Sequence, residues 1–167
     1  EADVIVLACG YGQAKKLVPE LPNVSFVTAS TVDAALDATS LGERHGILDM
    51  EESMAIFDLK QIHPGIAPAG ALLSAIHFGE GKAEDRLFQL QKFMDVRAPG
   101  WKSHVLHERQ QKNVKIAPSS DRIPFGFARK NGVLLTGAWV ESDHILSDGA
   151  VAASRLAAEH ISKMPLQ

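Results

Sequence analysis

Near the end of the chain, a predicted strand, a tight turn and a predicted helix offer backbone groups that could hold a ligand. The stretch reads NGVLLTGAWVESDHILSDGAVAASRLAAEHI, with the turn at Gly137 and the helix beginning near Leu146 or Ser147. The first four N–H groups of a helix lack partners inside it, and the helix dipole places about half a positive charge at that end. Such a unit favours a phosphate or an electron-rich ring.

His144 is the side chain of this stretch best suited to acid–base chemistry. It follows Asp143 and precedes the predicted helix, and an imidazole titrates near neutral pH. The alternative interpretation is a solvated loop residue. A serine hydrolase is not favoured, because Ser147, Asp148 and His144 match no triad motif and the sequence holds no G-x-S-x-G elbow.

Two other histidines have a spacing that would suit a metal ion on a helix. His104 and His107 are three residues apart, which places two side chains on one face of a helix but on opposite faces of a strand. Their segment is polar and is predicted to be a strand, and no cysteine or carboxylate cluster accompanies it. The sequence therefore predicts no metal site.

Composition bounds the remaining function classes. The chain has 167 residues, a net charge of −3, 46% hydrophobic residues and 22% charged residues, which suits one domain or two small lobes. Its basic residues never run longer than pairs such as Lys15-Lys16, so binding to nucleic acid is not expected. No stretch reaches the roughly 18 apolar residues of a transmembrane helix.

Cys9 is the single cysteine, and it follows the apolar run Val-Ile-Val-Leu-Ala. An intrachain disulfide is excluded, and we expect an inert core thiol in a cytoplasmic protein. The chain begins Glu-Ala-Asp and enters a predicted strand at once, so we expect it to be a part of a longer protein.

The first predicted unit is a strand over 3–9, a turn at Gly10-Tyr11-Gly12 and a helix over 13–21. The continuous apolar run is typical of a strand that is buried on both faces. The order matches half of a dinucleotide-binding fold. The turn is not the GxGxxG fingerprint, however, because Lys15 stands where the third glycine belongs.

The middle of the chain is predicted to be β-rich. Residues 24–38 are predicted to form one long strand or two short ones. Further predicted strands cover 46–50, 54–62, 70–79, 101–116 and 132–139, and predicted helices cover 82–96 and the residues after 146. The fold class is therefore α/β. We expect residues 1–22 and 130–167 to come together in one lobe, and residues 23–129 to form a second lobe with an antiparallel or mixed sheet.

The order of these elements resembles a known family. The segments that carry the resemblance are ADVIVLACG, APAGALLSAIHFG, EDRLFQLQKFM, GVLLTGAW and LSDGAVAASRLAAEHI. Together they resemble the C-terminal part of flavin-dependent oxidoreductases of the amine oxidase and phytoene desaturase superfamily. The resemblance implies FAD as cofactor, part of a Rossmann-like FAD lobe and a β-rich, mixed-sheet substrate lobe. The implied activity is oxidation of a C–N or C–C bond of an amine or hydrophobic substrate, by hydride transfer to the flavin.

The resemblance also implies which residues approach the flavin. The turn is matched by Gly137, Ala138 and Trp139, and the helix start under the flavin ring by Ile145, Leu146 and Ser147. The family has an acidic residue where this chain has Ala138, and Glu141 or Asp143 is a candidate substitute.

The GxGxxG half of an FAD site is not encoded in these residues. The resemblance therefore implies an N-terminal FAD-binding half supplied by the same gene or by a partner chain. The alternative is a non-catalytic binding or interaction module derived from the same fold.

Overall fold

A computed structural model of the chain describes residues 3–38, 41–67, 69–119, 121–126 and 132–164. Its helices and strands are β1 (Ile5–Leu7), α1 (Tyr11–Leu17), β2 (Phe26–Leu36), β3 (Gly46–Asp49), β4 (Met54–Asp58), α2 (Leu59–Ile62), β5 (Ala71–Phe78), α3 (Ala83–Arg97), β6 (Val105–Pro118), β7 (Val133–Leu135) and α4 (Leu146–Ser162). The chain divides into two compact units. Unit 1 comprises Glu1–Phe26 and Ala117–Gln167, and unit 2 comprises Val27–Ile116.

Unit 1 is built on a parallel pair of short strands, β1 and β7, with Ile5 opposite Val133 and Leu7 opposite Leu135. The prediction that the first strand is buried on both faces is wrong for this chain. Ile5 is 53% exposed and Val6 is 44% exposed. A parallel sheet is normally covered on both faces, but within the part of the chain that the structure describes β1 pairs with β7 alone.

The core of unit 1 gathers the ends of distant segments. Tyr11, Leu21, Trp139 and Ala153 pack in one buried cluster. The Tyr11 hydroxyl donates to the Pro22 carbonyl at 2.8 Å. Ala153 is fully buried, and its small side chain lets α4 pack closely on this cluster.

Unit 2 is organised by a five-stranded sheet in the order β3-β4-β5-β2-β6. The pairs β3–β4, β4–β5 and β2–β5 are antiparallel. Burial alternates strictly along β5, as expected for a sheet with one face on a core. That core lies under α3 and includes Val32, Leu73, Leu90 and Trp101. The predicted α/β class, with parallel and antiparallel strands, is confirmed.

Several predicted element boundaries are wrong. The helix expected over 13–21 spans Tyr11–Leu17, so part of the expected turn at Gly10-Tyr11-Gly12 is helical. The strand expected over 54–62 ends at Asp58, because the Asp58 carboxylate accepts the Lys60 N–H at 3.0 Å and caps α2. The strand expected over 101–116 begins at Val105, because Trp101–His104 form a 3-10 helix. The strand expected over 132–139 stops after Leu135, because Gly137 turns the chain with φ +140°.

Arg86 of α3 is a buried cation that joins three segments of unit 2. Its side chain is 3% exposed. It donates to Ser30 Oγ at 3.3 Å, to the Gly79 and Gly81 carbonyls at 3.0 and 2.8 Å, and to Asn113 Oδ1 at 2.6 Å. The guanidinium therefore ties β2, the β5–α3 loop and β6 to the first turn of α3.

Asp95 gives unit 2 a pH-dependent contact. Lys102 Nζ donates to one carboxylate oxygen at 2.8 Å, and the buried Trp101 indole N–H donates to the other at 2.9 Å. The hydrogen bond from Lys102, and after it the bond from Trp101, lowers the pKa of the Asp95 carboxyl below its ordinary value of 3.8. A lowered pKa in the folded chain stabilises the fold above 3.8, and this contribution is lost as pH falls through the folded pKa.

We therefore expect Asp95→Asn to destabilise the chain at neutral pH by less than about 1 kcal/mol, because the pair is largely solvent-exposed. The difference between wild type and variant should shrink as pH falls below 3.8. Urea unfolding at a series of pH values measures it. A difference that does not change with pH would contradict the assignment.

Candidate functional site

The turn after β7 requires glycine. Gly137 has φ +140°, and a Cβ added there would lie 2.6 Å from Nε1 of Trp139. The Gly137 carbonyl accepts the Val140 N–H at 3.0 Å, so the chain reverses within four residues. Ala138, at the centre of this turn, is half-buried.

Trp139 joins the turn to the end of β1. It is 4% exposed, its indole N–H donates to the Cys9 carbonyl at 3.2 Å, and its ring meets Tyr11 edge to face at 5.8 Å. The indole N–H is therefore hydrogen-bonded within unit 1, and most of the ring surface is buried there. Contact between Trp139 and a flavin stays a prediction.

The start of α4 is open. Ile145 is the N-cap residue and provides no side-chain cap. It is 65% exposed, and Leu146 is 48% exposed with φ +53°. A non-glycine residue in the left-handed region costs about 1–3 kcal/mol, and such strain is concentrated at functional sites. Ser147 is exposed on the first turn, so the helix presents backbone donors, apolar surface and strain at one end.

The strain at Leu146 gives a stability prediction. We expect Leu146→Gly to raise the free energy of unfolding by about 1 kcal/mol, because glycine adopts positive φ without the Cβ penalty. Chemical denaturation followed by intrinsic tryptophan fluorescence measures the change. Leu156→Gly is the matched control, since it lies within the same helix and is also partly exposed. Leu156→Gly should lower the free energy of unfolding by about 1 kcal/mol. A lower free energy of unfolding for both variants would contradict backbone strain at Leu146.

Arg122 holds the loop that precedes α4. Its Nη1 donates to the Ser142 carbonyl at 3.2 Å and also to the His144 carbonyl, which accepts the Ser142 hydroxyl at 3.1 Å as well. The loop lies so close to the helix that a Cβ on Gly149 would come within 2.9 Å of the His144 carbonyl. The loop is therefore positioned before any ligand arrives.

Between this loop and the helix lies a groove of about 680 Å³, within the usual range of small-molecule sites. It is lined by Phe125, Glu141, Ser142, Asp143, His144, Asp148, Val151, Ala152, Arg155 and Leu156. Three carboxylates stand against one guanidinium in this lining, so the groove does not suit a diphosphate. Its apolar residues and exposed imidazole suit a ring, or a substrate that exchanges a proton.

The predicted site residues fall into two groups. His144 lines the groove, and Ile145 lines a second groove of about 380 Å³ together with His144 and Arg122. Leu146 and Ser147 follow directly on the helix start. The turn residues Gly137, Ala138 and Trp139 are not among the described residues that line either groove. Trp139 packs instead in the buried cluster that includes Ala153 of α4.

Arg122 and Arg155 were missed by the sequence analysis. Arg122 lies outside every helix and strand predicted from the sequence, and its carbonyl partners are about 20 residues away in the chain. No local pattern marks such a contact. Arg155 could have been found, because helical spacing places it one turn after Val151 on the groove side.

The described residues contain no group of three or more His, Cys, Asp or Glu side chains that could hold a metal ion. His104 is instead paired with Asp37, with Nδ1 2.8 Å from the carboxylate. Among the described residues, no helix is long and apolar enough to cross a membrane.

Comparisons with known proteins give a structural likeness alone. No protein-family model matches the sequence, and no curated protein matches it. The fold is similar to the crystal structure of a protein described as an oxidoreductase from Methanosarcina mazei, with a TM-score of 0.69 and 14% sequence identity. The match covers 95% of this chain and 43% of that one, so the chain spans less than half the length of that protein.

Proposed function

We propose that the chain is the C-terminal portion of an FAD-dependent oxidoreductase, of the amine oxidase or phytoene desaturase kind. The observation that carries the proposal is the start of α4. It has no side-chain cap, it begins at the exposed Leu146 with φ +53°, and it stands beside a groove lined by His144. The likeness to an oxidoreductase over 95% of the chain supports the proposal at the level of fold.

The residues at this end of α4 fit one part of FAD. The unpaired N–H groups of the first helical turn suit the carbonyl edge of a flavin ring and its negative charge after reduction. The exposed side chains of Ile145 and Leu146 suit the face of the ring. When bound, the cofactor supplies the acceptor for a hydride from a C–N or C–C bond.

The same residues do not fit the diphosphate of FAD. Glu141, Asp143 and Asp148 line the groove and would repel it. The phosphates are therefore assigned to an N-terminal nucleotide-binding half, encoded by the same gene or carried by a partner chain. Exposed apolar residues of β1 (Ile5 and Val6) suit such a half, since a parallel strand is usually covered on both faces.

His144 is the proposed acid–base residue. Its side chain lines the groove beside Asp143, while its carbonyl is held by Arg122. The fixed backbone limits the positions that the imidazole can reach. One ring nitrogen would take a proton from a substrate amine before oxidation. An amine or a hydrophobic substrate and a cytoplasmic location belong to the same proposal.

A pair of serine variants tests the flavin contact. The complete gene is expressed, and bound flavin is read from visible absorption. We expect Ser147→Asp to stabilise the flavin-free protein by about 0.3–1 kcal/mol, because a carboxylate at a helix start favours the dipole. The same charge should lower flavin content by opposing the electron-rich ring. Ser154→Asp, farther along α4 and also exposed, is the control and should change flavin content little.

Protein from the complete gene that carries no flavin, even after FAD is added, would overturn the proposal. In that case the second candidate, a non-catalytic binding or interaction module, is preferred. Ala138 favours this candidate. Its methyl group provides no hydrogen-bond acceptor at the position where the amine oxidase and phytoene desaturase superfamily has an acidic residue.

A further inference from the structure

The five-stranded sheet has a groove on the face turned away from α3. Burial along β2 separates the two faces: Val32 and Ala34 are fully buried in the core under α3, whereas Asp33 and Ala35 are half-buried on the other side. The groove encloses about 360 Å³ and is lined by Asp33, Ala35, Leu59, Leu72, His107 and Arg109. This volume is sufficient for a small molecule.

Asp33 is already satisfied within the groove. One of its carboxylate oxygens accepts the Ser74 hydroxyl at 2.7 Å. The other accepts Nε and Nη2 of Arg109 at 3.3 and 2.8 Å. Because both oxygens are occupied, the carboxylate fixes the guanidinium in place and offers little to an incoming cation.

The donors of the groove are in excess. Among the described residues Arg109 Nη1 donates no hydrogen bond, and the Arg109 side chain is 63% exposed. His107 stands two residues earlier on β6, on the same face of the strand, and lines the groove with Arg109. Leu59 and Leu72 provide apolar surface in the lining of the same groove.

We propose that this groove binds a small apolar molecule through its carboxylate, with Arg109 as the anion-recognising residue and Leu59 and Leu72 against the hydrocarbon part. The inference rests on the proposed function only in calling that molecule a substrate or product. The groove lies within unit 2, so binding there is measured without flavin and stands or falls separately from the flavin site.

The test uses octanoate, octylammonium and octanol, three ligands with one tail and different head groups. Each is titrated into the isotope-labelled chain while the methyl signals of Leu59 and Leu72 are followed by NMR. Octanoate should bind at least about tenfold more tightly than octylammonium or octanol. Equal binding of the three, or shifts confined to residues outside the groove, would overturn the inference.

Charge variants sharpen the test. Arg109→Gln frees the Asp33 carboxylate, so the preference should reverse in favour of octylammonium. Arg109→Lys keeps the positive charge and should retain the preference for octanoate. Lys112→Gln is the control, because Lys112 pairs with Glu84 and does not line the groove. Octanoate preference that survives Arg109→Gln would overturn the role of Arg109.

Discussion

Replacing Arg86 by alanine is expected to lower the free energy of unfolding by about 3 kcal/mol. Hydrogen bonds to a charged group contribute about 1.5–3 kcal/mol each, but the Gly79 and Gly81 carbonyls lie in an exposed loop and regain water when the guanidinium is lost. The larger cost comes from Ser30, which is fully buried, and from the cavity that the side chain leaves. Urea unfolding followed by intrinsic tryptophan fluorescence measures the change.

Two further variants separate volume from hydrogen bonding. Arg86→Met restores most of the buried volume without donors, so it should remain destabilised by about 2 kcal/mol. Arg97→Ala removes an arginine of the same helix whose side chain is 44% exposed and lies 3.7 Å from Asp49. It should cost less than about 1 kcal/mol. Similar losses for Arg86→Ala and Arg97→Ala would show that the buried contacts exchange freely with water.

The second large effect is expected from Gly137→Ala. The backbone angle of φ +140° is strained for any residue with a Cβ, and the new methyl group would lie 2.6 Å from the Trp139 indole. Strain of this kind costs about 1–3 kcal/mol. Together with displacement of the indole from the Cys9 carbonyl, we expect a loss of about 2–4 kcal/mol.

Gly12→Ala is the matched control for the turn. Gly12 lies within α1, and its Cβ position has no heavy atom of other residues within 4 Å. Alanine there should stabilise the chain by about 0.5–1 kcal/mol. The melting temperatures of the two variants should therefore shift in opposite directions from that of the wild type. A stable Gly137→Ala protein with an unchanged Trp139 environment would contradict the described turn.

Periodic segments were predictable from sequence. The helix expected over 82–96 is confirmed as Ala83–Arg97, and the helix expected from Leu146 or Ser147 begins at Leu146. In α3, apolar residues at helical spacing coincide with a buried face. In α4 the buried positions are the small residues Gly149, Ala153 and Ala157, while Leu146 and Ile161 are exposed. The strand expected over 70–79 is likewise confirmed as Ala71–Phe78.

Other features depend on groups that are remote in sequence. An apolar run indicates which side chains of a strand could be buried. It does not indicate whether other segments cover that strand, so the exposure of Ile5 was not predictable. Arg86 lies on the buried side of α3. From its charged sequence neighbours Glu84 and Asp85, an ordinary exposed residue would have been expected. Its burial depends on acceptors from Ser30 to Asn113.

The candidate site was only partly accessible to sequence reasoning. The helix start at Leu146 follows from local pattern, but its positive φ does not, because leucine rarely adopts this conformation. The loop that lines the groove beside His144 is held by Arg122, a contact across about 20 residues. The roles of His144 and of the turn residues therefore remain predictions for the flavin experiment.

The long strand β6 forms one edge of the five-stranded sheet. An uncovered edge of this length would recruit strands from other molecules and lead to fibrous aggregates. Exposed basic side chains at Arg109, Lys112 and Lys115 recur along it. Charged side chains on an edge strand disfavour the approach of a second strand, so the residues that suit a carboxylate ligand also make this edge less suited to pairing with another copy.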